Sequence, residues 1–194
     1  MAAPARRWGW HQLDSRWAAT LVADAQLNPG DLVIDVGAGT GALTQQLVAR
    51  GVSVLAVELH ADRAASLRRR FQGHRVTVIV ADAGDLRLPR RPFRVVANPP
   101  FSVTTALLRR ITAPGSRLER ADLIVPWHVA RRWAIGDAPG AHRWRREYDA
   151  EVTRQLPRSA LTPPPPNGVA VLTIIRVAEP APPRSQGRRR ALRT

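Results

Sequence analysis

The chain has 194 residues, 44% of them apolar, which is enough for one domain with a full hydrophobic core. Its formal charge is +15, and all 30 basic residues are arginine, the side chain that pairs bidentately with phosphate and stacks on bases. GC-rich codon usage would explain arginine in place of lysine, but it does not explain the excess of positive charge. Nucleic acid is therefore the expected partner.

Composition also disfavours several classes of protein. No segment has the roughly 20 uninterrupted apolar residues of a membrane span, and the N-terminus lacks the apolar segment of a signal peptide, so we expect a cytoplasmic protein. Cysteine is absent, which excludes disulfides, thiolate metal sites and a cysteine nucleophile. The five histidines show no ligand spacing, so no metal is expected, and we expect a monomer.

Short apolar runs alternate along the chain with stretches of helical spacing, which is the pattern of βαβ units and a parallel sheet covered on both faces. The sequence therefore predicts an α/β fold. In chain order we expect strands at 32–36, 52–57, 76–81, 94–97, 121–125, 148–155 and 169–177, and helices at 42–50, 61–71, 102–111 and 129–135. Ser102 is the expected N-cap of the third helix.

Composition shifts divide the chain into three parts. Residues 1–20 form a basic, tryptophan-rich segment, residues 21–178 form the main domain, and residues 179–194, rich in Pro, Arg and Ser, are expected to be disordered. The proline-rich stretch at 161–168 is expected to be a stiff structural turn, not a ligand for a proline-binding domain.

A glycine-rich turn, Asp35-Val36-Gly37-Ala38-Gly39-Thr40-Gly41, ends the first strand. Its glycines let the backbone approach a ligand where the next helix begins, but the turn also fits the dinucleotide fingerprint. Three acids at successive strand ends favour S-adenosylmethionine over NAD. Asp35 ends the first strand, Glu58 is placed to accept both hydroxyls of a ribose, and Asp82 is placed to accept from an adenine amino group.

The tetrapeptide Asn98-Pro99-Pro100-Phe101 follows the apolar run at 94–97. It supplies an amide and a fixed carbonyl to hold an exocyclic amino group, and a ring on which an unstacked base can lie. Such acceptors direct the lone pair of the amine toward the methyl group of the methyl donor. Positioning of the two reactants therefore provides most of the rate acceleration. The alternative is an ordinary strand-to-loop turn with a buried Phe. With the glycine turn, the tetrapeptide predicts an adenine-amino methyltransferase.

In this ordered combination, over residues 9–177, the chain resembles the Erm-type rRNA adenine-N6 methyltransferases and, more distantly, the small-subunit rRNA dimethyladenosine transferases. The resemblance implies a Rossmann-like class I S-adenosylmethionine-dependent methyltransferase with a seven-stranded, mostly parallel sheet whose last strand is antiparallel. It implies methylation of an adenine N6 in 23S rRNA near the peptidyl-transferase centre, and hence resistance to macrolides, lincosamides and streptogramin B.

The resemblance also implies roles for individual residues. Asn98 and the Pro99 carbonyl would hold the substrate amino group, and Phe101 would stack on the flipped base. Gln12 and Leu13 are carried over from Trp10-His11-Gln12-Leu13-Asp14, which departs from the family's usual Gln, Asn or His, Phe, Leu pattern. The implied cofactor-binding residues are Gln12, Leu13, Asp35, Gly37, Gly39, Gly41, Glu58, Asp82, Ala83 and Asn98.

Full-length members of that family continue into a helical C-terminal domain that helps to grip RNA, where this chain has a basic tail. We therefore expect a diffuse grip, within an assembling ribosomal particle, from the basic ends and from the segment 127–146, which interleaves tryptophan with arginine. Any one of Trp127, Trp133 and Trp144 is more readily explained as core. The predicted RNA-binding residues are Arg6, Arg7, Arg109, Arg110, Arg131, Arg132, Arg143, Arg145 and Arg146.

Other functions stay open on the sequence alone. A small-subunit rRNA dimethylase, or another RNA or DNA adenine methyltransferase, would keep the same cofactor and tetrapeptide. A non-catalytic rRNA-binding or assembly factor would keep the charge and the fold. An NAD-dependent oxidoreductase is disfavoured, because nothing that resembles its proton-transfer residues accompanies the turn. The sequence does not decide between mono- and dimethylation.

Overall fold

The structure is a computed structural model that describes residues 11–177; the predicted tail at 179–194 and the predicted RNA contacts Arg6 and Arg7 lie outside the described residues. Strands and helices alternate as the sequence predicts. The strands are β1 (Gln12–Leu13), β2 (Leu32–Val36), β3 (Ser53–Glu58), β4 (Val76–Val80), β5 (Phe93–Ala97), β6 (Leu118–Pro126), β7 (Tyr148–Leu156), β8 (Leu161–Thr162) and β9 (Val169–Arg176). The helices are α1 (Ser15–Asp24), α2 (Ala42–Ala49), α3 (Ala61–Arg70), α4 (Thr104–Ile111), α5 (Trp127–Ala134) and α6 (Ala141–Trp144).

Seven strands form one sheet in the order β4-β3-β2-β5-β6-β9-β7. The pairs from β4 to β6 are parallel, and β9 is antiparallel to both β6 and β7. The predicted seven-stranded, mostly parallel sheet with an antiparallel last strand is confirmed. The central strands β2 and β5 are mostly apolar because both of their faces are covered, whereas the edge strand β7 keeps exposed polar positions along its length.

Two clusters of buried side chains fill the space between sheet and helices. Leu21, Leu47 and Leu67 bring α1, α2 and α3 onto one face. Leu107 and Trp133 bring α4 and α5 onto the other. Burying each such side chain stabilises the fold by about 1.5–3 kcal/mol. The two layers hold the strand ends rigidly, which is what a site built there needs.

The parallel strands β2 to β6 all end at one edge of the sheet, here called the carboxyl edge. The glycine turn, Asn98 and Trp127 follow three of these strands and lie at this edge. At the opposite edge, here called the amino edge, Tyr148 at the start of β7 pairs with Arg176 at the end of β9. The direction of each strand therefore decides which residues can share a site.

One predicted helix start is wrong. Ser102 does not cap α4, because Phe101–Val103 forms a turn of 3-10 helix and α4 begins at Thr104. The backbone N–H of Val103 donates to the carbonyl oxygen of Pro100 at 3.1 Å, which tightens the chain before the helix starts. This turn holds the tetrapeptide against the sheet.

Helix α1 was not predicted from the sequence. Its N-cap is Asp14, whose carboxylate accepts a hydrogen bond from the Arg16 N–H at 2.9 Å. Ala18, Leu21 and Val22 are buried in the core. The predicted division between residues 20 and 21 falls within this helix.

Three further elements were not predicted from the sequence: β1, β8 and α6. Strands β1 and β8 form a separate antiparallel pair, with Gln12 opposite Thr162, which ties the N-terminal segment to the proline-rich turn. Between the predicted helix at 129–135 and the predicted strand at 148–155, the chain forms the four-residue helix α6. No helix among residues 11–177 is long and apolar enough to cross a membrane.

Candidate active site

A cleft with about 300 Å³ of empty space opens at the carboxyl edge, between the glycine turn, β1 and Asn98. Six of the predicted cofactor-binding residues line it: Gln12, Leu13, Asp35, Gly37, Gly39 and Asn98. His11, Ala38, Thr40, Ala42 and Leu43 complete the lining. Residues from the N-terminal segment and from two strand ends are thus brought together, as the motifs predict.

Gly37 joins the two motifs that define the cleft. It has a φ of 75°, which L side chains rarely adopt. A Cβ at this position would lie 2.9 Å from Cδ of Pro100. The glycine turn and the tetrapeptide therefore pack directly against each other, and only glycine leaves room for that contact.

Gly41 has a different setting from Gly37. A Cβ at Gly41 would lie 2.8 Å from Cε2 of Phe71 and 3.0 Å from Cδ2 of Leu67. Gly41 is also the N-cap of α2, and its φ of 88° lies in the left-handed region that favours glycine. Packing against the end of α3 accounts for this glycine, and Gly41 is not part of the cleft lining, so its predicted cofactor contact stays a prediction.

Asp35 is a buried acid at the base of the cleft, with 1% of its surface exposed. Burial raises the pKa of Asp35 from 3.8 to about 7, the hydrogen bonds from Thr44 act against that shift, and the negative charge of Glu58 adds to it. The Thr44 hydroxyl donates to Oδ2 of Asp35 at 2.7 Å. A cationic ligand in the cleft would favour the ionised form of this carboxyl group.

Glu58 ends β3 and is also buried, with 4% of its surface exposed. Its Oε2 accepts from the Gly39 N–H at 2.9 Å, and its Oε1 accepts from the His60 N–H at 3.0 Å. Each oxygen keeps a further lone-pair direction for a ligand. Glu58 therefore fixes the glycine turn from the side of the neighbouring strand.

Asp82 and Ala83 follow β4, one strand beyond Glu58. Asp82 is exposed, and its Oδ1 accepts from the Gly84 N–H at 2.7 Å in a local turn, whereas Ala83 is buried. Neither residue lines the cleft, and nor does Glu58. The three lie along the carboxyl edge beside it, in the order that the sequence predicts.

Asn98 presents an unused acceptor. Its Nδ2 donates to the main-chain oxygen of His11 at 2.7 Å, which fixes the orientation of the amide because a carbonyl only accepts. Its Oδ1 is buried and has no hydrogen-bond partner among the described residues. An unmatched buried acceptor costs about 1–3 kcal/mol, so it is a site prepared for an external donor.

His11 was not among the residues predicted from the sequence. Its ring centroid lies 5.0 Å from that of Phe101, with an interplanar angle of 31°. Its Nδ1 lies 2.6 Å from the main-chain oxygen of Pro163, so Nδ1 carries the proton in that contact. The available signal was its place in the N-terminal segment that departs from the family pattern. His11 and Phe101 together form an aromatic wall beside Asn98.

None of the predicted RNA-binding arginines within residues 11–177 lines this cleft. Arg109 and Arg110 lie in the last turn of α4, the end that points away from Asn98, and Arg110 donates to the Leu86 carbonyl at 2.9 Å. Arg143, Arg145 and Arg146 precede Tyr148 at the amino edge. Arg131 and Arg132 lie in α5, with Arg132 paired to Asp137 at 3.6 Å. Their contacts with RNA stay predictions.

The tryptophans of the segment 127–146 divide into core and surface. The rings of Trp133 and Trp144 stack at 4.6 Å, and both residues are buried, with 2% and 5% exposed. Trp127 is 38% exposed at the carboxyl edge. The interpretation as core is therefore confirmed for Trp133 and Trp144. No group of three or more His, Asp or Glu residues is placed to hold a metal within residues 11–177.

Comparisons with known proteins identify the family. The model for "Ribosomal RNA adenine dimethylase" matches residues 11–187. "Ribosomal RNA small subunit methyltransferase A" of Synechococcus sp. (strain JA-3-3Ab) is 34% identical over 199 residues, 95% of this chain and 71% of that protein. The "rRNA adenine N-6-methyltransferase" of Corynebacterium diphtheriae is 34% identical over 156 residues, 79% of this chain and 61% of that protein.

Solved structures agree with this result. The 23S rRNA methyltransferase ErmE has a TM-score of 0.75 at 27% identity, over 86% of this chain and 70% of that one. A dimethyladenosine transferase from Plasmodium falciparum has a TM-score of 0.73 at 20% identity, over 86% and 64%. Because relatives of both kinds match, the comparisons do not establish the narrower Erm assignment.

The cleft suits S-adenosylmethionine. The glycine backbone at Gly37 leaves no side chain between ligand and turn, Asp35 is a buried acid that a cation would ionise, and Asn98 offers an unmatched acceptor beside them. The expected fold, cofactor and enzyme class are confirmed. The chain belongs to the ribosomal RNA adenine dimethylase family and is an S-adenosylmethionine-dependent rRNA adenine methyltransferase with the class I fold.

Proposed function

We propose that this enzyme methylates N6 of an adenine in 23S rRNA near the peptidyl-transferase centre, and thereby confers resistance to macrolides, lincosamides and streptogramin B. The observation that carries the amine chemistry is the buried Oδ1 of Asn98, which lacks a partner while Nδ2 is held by His11. An acceptor fixed in this way suits the N–H of an exocyclic amino group.

The chemistry follows from three residues of the tetrapeptide. Oδ1 of Asn98 and the carbonyl of Pro99 accept hydrogen bonds from the adenine amino group, which turns its lone pair out of conjugation with the ring. The Phe101 ring carries the base once it has left its helix. S-adenosylmethionine, when bound, would supply the methyl group by cleavage of its S–CH3 bond and leave as S-adenosylhomocysteine, and the surplus proton on the methylated nitrogen would pass to solvent. Orientation in a water-poor cleft provides most of the acceleration.

We assign the cofactor to the residues along the carboxyl edge. Gly37 and Gly39 let the ligand approach the backbone, and Asp35 complements its positive charge. Gln12 and Leu13 close the cleft from the N-terminal side, as members of its lining. Glu58 binds the ribose, and Asp82 with Ala83 binds the adenine of the cofactor, from the two strand ends beside the cleft.

The large-subunit target is supported by the Erm-type combination of motifs. It is also supported by sequence identity, which is 27% to ErmE and 20% to the dimethyladenosine transferase from Plasmodium falciparum. The second candidate is dimethylation of small-subunit rRNA. It is favoured by the 34% identity to the Synechococcus small-subunit methyltransferase over 95% of the chain. These two targets lie on different RNA molecules and can be separated directly.

To test this proposal, the purified enzyme is incubated with tritiated S-adenosylmethionine and, in separate reactions, with 23S rRNA, 16S rRNA or precursor particles of each ribosomal subunit. Primer extension locates the label, and nucleoside mass spectrometry counts the methyl groups. Label at one adenine of the peptidyl-transferase region supports the proposal. Label on 16S rRNA alone replaces it with the small-subunit function.

A cellular assay tests the biological consequence. Expression in a macrolide-sensitive host should raise the inhibitory concentration of erythromycin, and the Asn98→Ala variant should not. If the variant raises it as much as the wild type does, a non-catalytic role in ribosome assembly takes precedence. We also propose that the enzyme works as a cytoplasmic monomer, and that its catalytic unit comprises Gln12 and Leu13 of the cleft lining and the whole of α1 in addition to residues 21–178.

A further inference from the structure

The half of the sheet that would face RNA can be deduced from the strand order. The cofactor residues follow β2, β3 and β4, and Asn98 follows β5 at the boundary of that half. The strands on the other side of β5 are β6, β9 and β7. RNA that delivers an adenine to Asn98 therefore extends over the end of β6 and the start of β9.

Trp127 lies at that place. It follows Pro126, the last residue of β6, and its N–H donates to the Gly168 carbonyl at 2.8 Å in the turn before β9. Ala97 pairs with Leu123, so β6 runs two residues beyond the level of Asn98 before it ends at Pro126, and α5 begins there with Trp127.

The side chain of Trp127 is 38% exposed, unlike the buried Trp133 and Trp144. Its backbone is fixed by the hydrogen bond to Gly168, and its Cβ lies 3.7 Å from where a Cβ on Gly168 would stand. A large aromatic ring is thus held at the surface by a fixed backbone, at the same edge of the sheet as Asn98. Its exposure shows that core packing does not require a ring at this position.

The outward face of α5 continues from this ring with positive charge. Arg131 is one helical turn beyond Trp127, on the same face, whereas Ala130 and Trp133 point into the core. Arg131 is exposed and makes no ion pair with the residues that the structure describes. An exposed ring next to an unpaired guanidinium matches a base and its phosphate.

We propose that Trp127 and Arg131 form a platform for the RNA that flanks the target adenine: a neighbouring base stacks on the indole, and its phosphate pairs with the guanidinium. The platform rests on the proposed function, because it assumes an RNA strand bound at Asn98. In this proposal α5 binds the RNA substrate, and it contributes no residue to the lining of the cofactor cleft.

The test measures methylation as a function of RNA concentration at saturating S-adenosylmethionine. Trp127→Ala should raise KM for RNA about 5- to 100-fold, as expected for one lost stacking contact, with kcat nearly unchanged. Trp127→Phe should keep most of the affinity. Arg131→Gln should raise KM for RNA. It should also reduce by about 1 the steepness with which the logarithm of RNA affinity falls against the logarithm of salt concentration.

Two matched controls isolate the platform. Ile135→Ala removes an apolar side chain that is 60% exposed at the end of α5, and Arg75→Gln removes an exposed charge just before β4, at the amino edge. Both should leave KM for RNA within about twofold. Cofactor affinity from calorimetry and thermal unfolding verify that each variant is folded with an intact cleft.

Failure of the platform and failure of the proposed function give different results. Wild-type methylation of rRNA with equal KM for Trp127→Ala and Ile135→Ala overturns the platform and leaves the function intact. Absence of methylation on every RNA overturns the function. In that case, filter binding measures the affinity of each variant for a single-stranded RNA. The platform is supported if Trp127→Ala binds this RNA more weakly than Ile135→Ala, and it is overturned if the two bind equally.

Discussion

The side-chain amide of Asn98 donates to the main-chain oxygen of His11 at 2.7 Å, across 87 positions of sequence. This one hydrogen bond joins the end of β5 to the N-terminal segment. It also fixes the orientation of the amide, because the donor is occupied and Oδ1 is left without a partner in the described residues. The placement of Asn98 therefore depends on a segment that precedes the sheet.

Gly37 should tolerate no side chain. Gly37→Ala forces a left-handed backbone on alanine and places its Cβ 2.9 Å from Pro100, so we expect a loss of about 1–3 kcal/mol in the free energy of unfolding and a large loss of activity. Chemical denaturation and methylation assays measure both.

Gly73→Ala is the matched control for that substitution. Gly73 has a φ of 81°, close to that of Gly37, but nothing lies within 4 Å of its Cβ position. It should show the cost of backbone strain alone and keep full activity. Equal losses for the two variants would contradict a contact between the glycine turn and the tetrapeptide.

The affinity for S-adenosylmethionine should rise with pH up to about 7 and then level off. Burial raises the pKa of Asp35 to about 7, and a cationic ligand favours the ionised carboxyl group, so binding below that pH must release a proton. Calorimetry in buffers of different ionisation enthalpy measures the release. Asp35→Asn should bind more weakly and show a flat profile; an unchanged profile would rule out Asp35 as the group that titrates.

The ligand-free protein should show the opposite trend in stability. Because the folded-state pKa of Asp35 is raised from 3.8 to about 7, the stability that this group contributes is present below pH 3.8 and is lost as pH rises to about 7. The difference in unfolding free energy between wild type and Asp35→Asn should therefore change across this window and stay constant above it. Denaturation at pH 4.5, 6 and 8 checks the sign.

Trp133 should act in the core and not on RNA. Trp133→Ala removes a buried ring that stacks on Trp144, so we expect a loss of about 3–5 kcal/mol in unfolding free energy. Trp133→Phe should recover much of that loss. RNA affinity per folded molecule should be unchanged; a specific loss of RNA binding at full stability would show that this ring contacts substrate.

The fold could be predicted from sequence where the signal is local. Strands such as β2 and β3 are apolar runs bounded by turn residues, and their observed ends lie within one residue of the predicted ones. Helix α1 was not predicted, although Asp14 is a standard N-cap and its buried residues have helical spacing. Helix α6, with four residues, is too short to show a period.

The site was only partly accessible to sequence reasoning. Residues at successive strand ends, such as Asp35 and Glu58, meet because parallel strands share an edge, and this rule needs no structure. The contact between His11 and Asn98 and the pairing of Gln12 with Thr162 join distant segments, so no local pattern reports them. The position of Arg143 at the amino edge likewise depends on the direction of each strand.

The most direct test of the central claim compares Asn98→Ala with Ser102→Ala in rRNA methylation, with products identified by nucleoside mass spectrometry. Ser102 is exposed four residues away, in the turn after the tetrapeptide, and is the matched control. The wild type and Ser102→Ala should both form N6-methylated adenosine, and Asn98→Ala should lose about 100-fold or more in kcat, the loss typical of one positioned hydrogen bond to a reacting group. Full activity of Asn98→Ala, or methylation at an atom other than N6, would contradict the account.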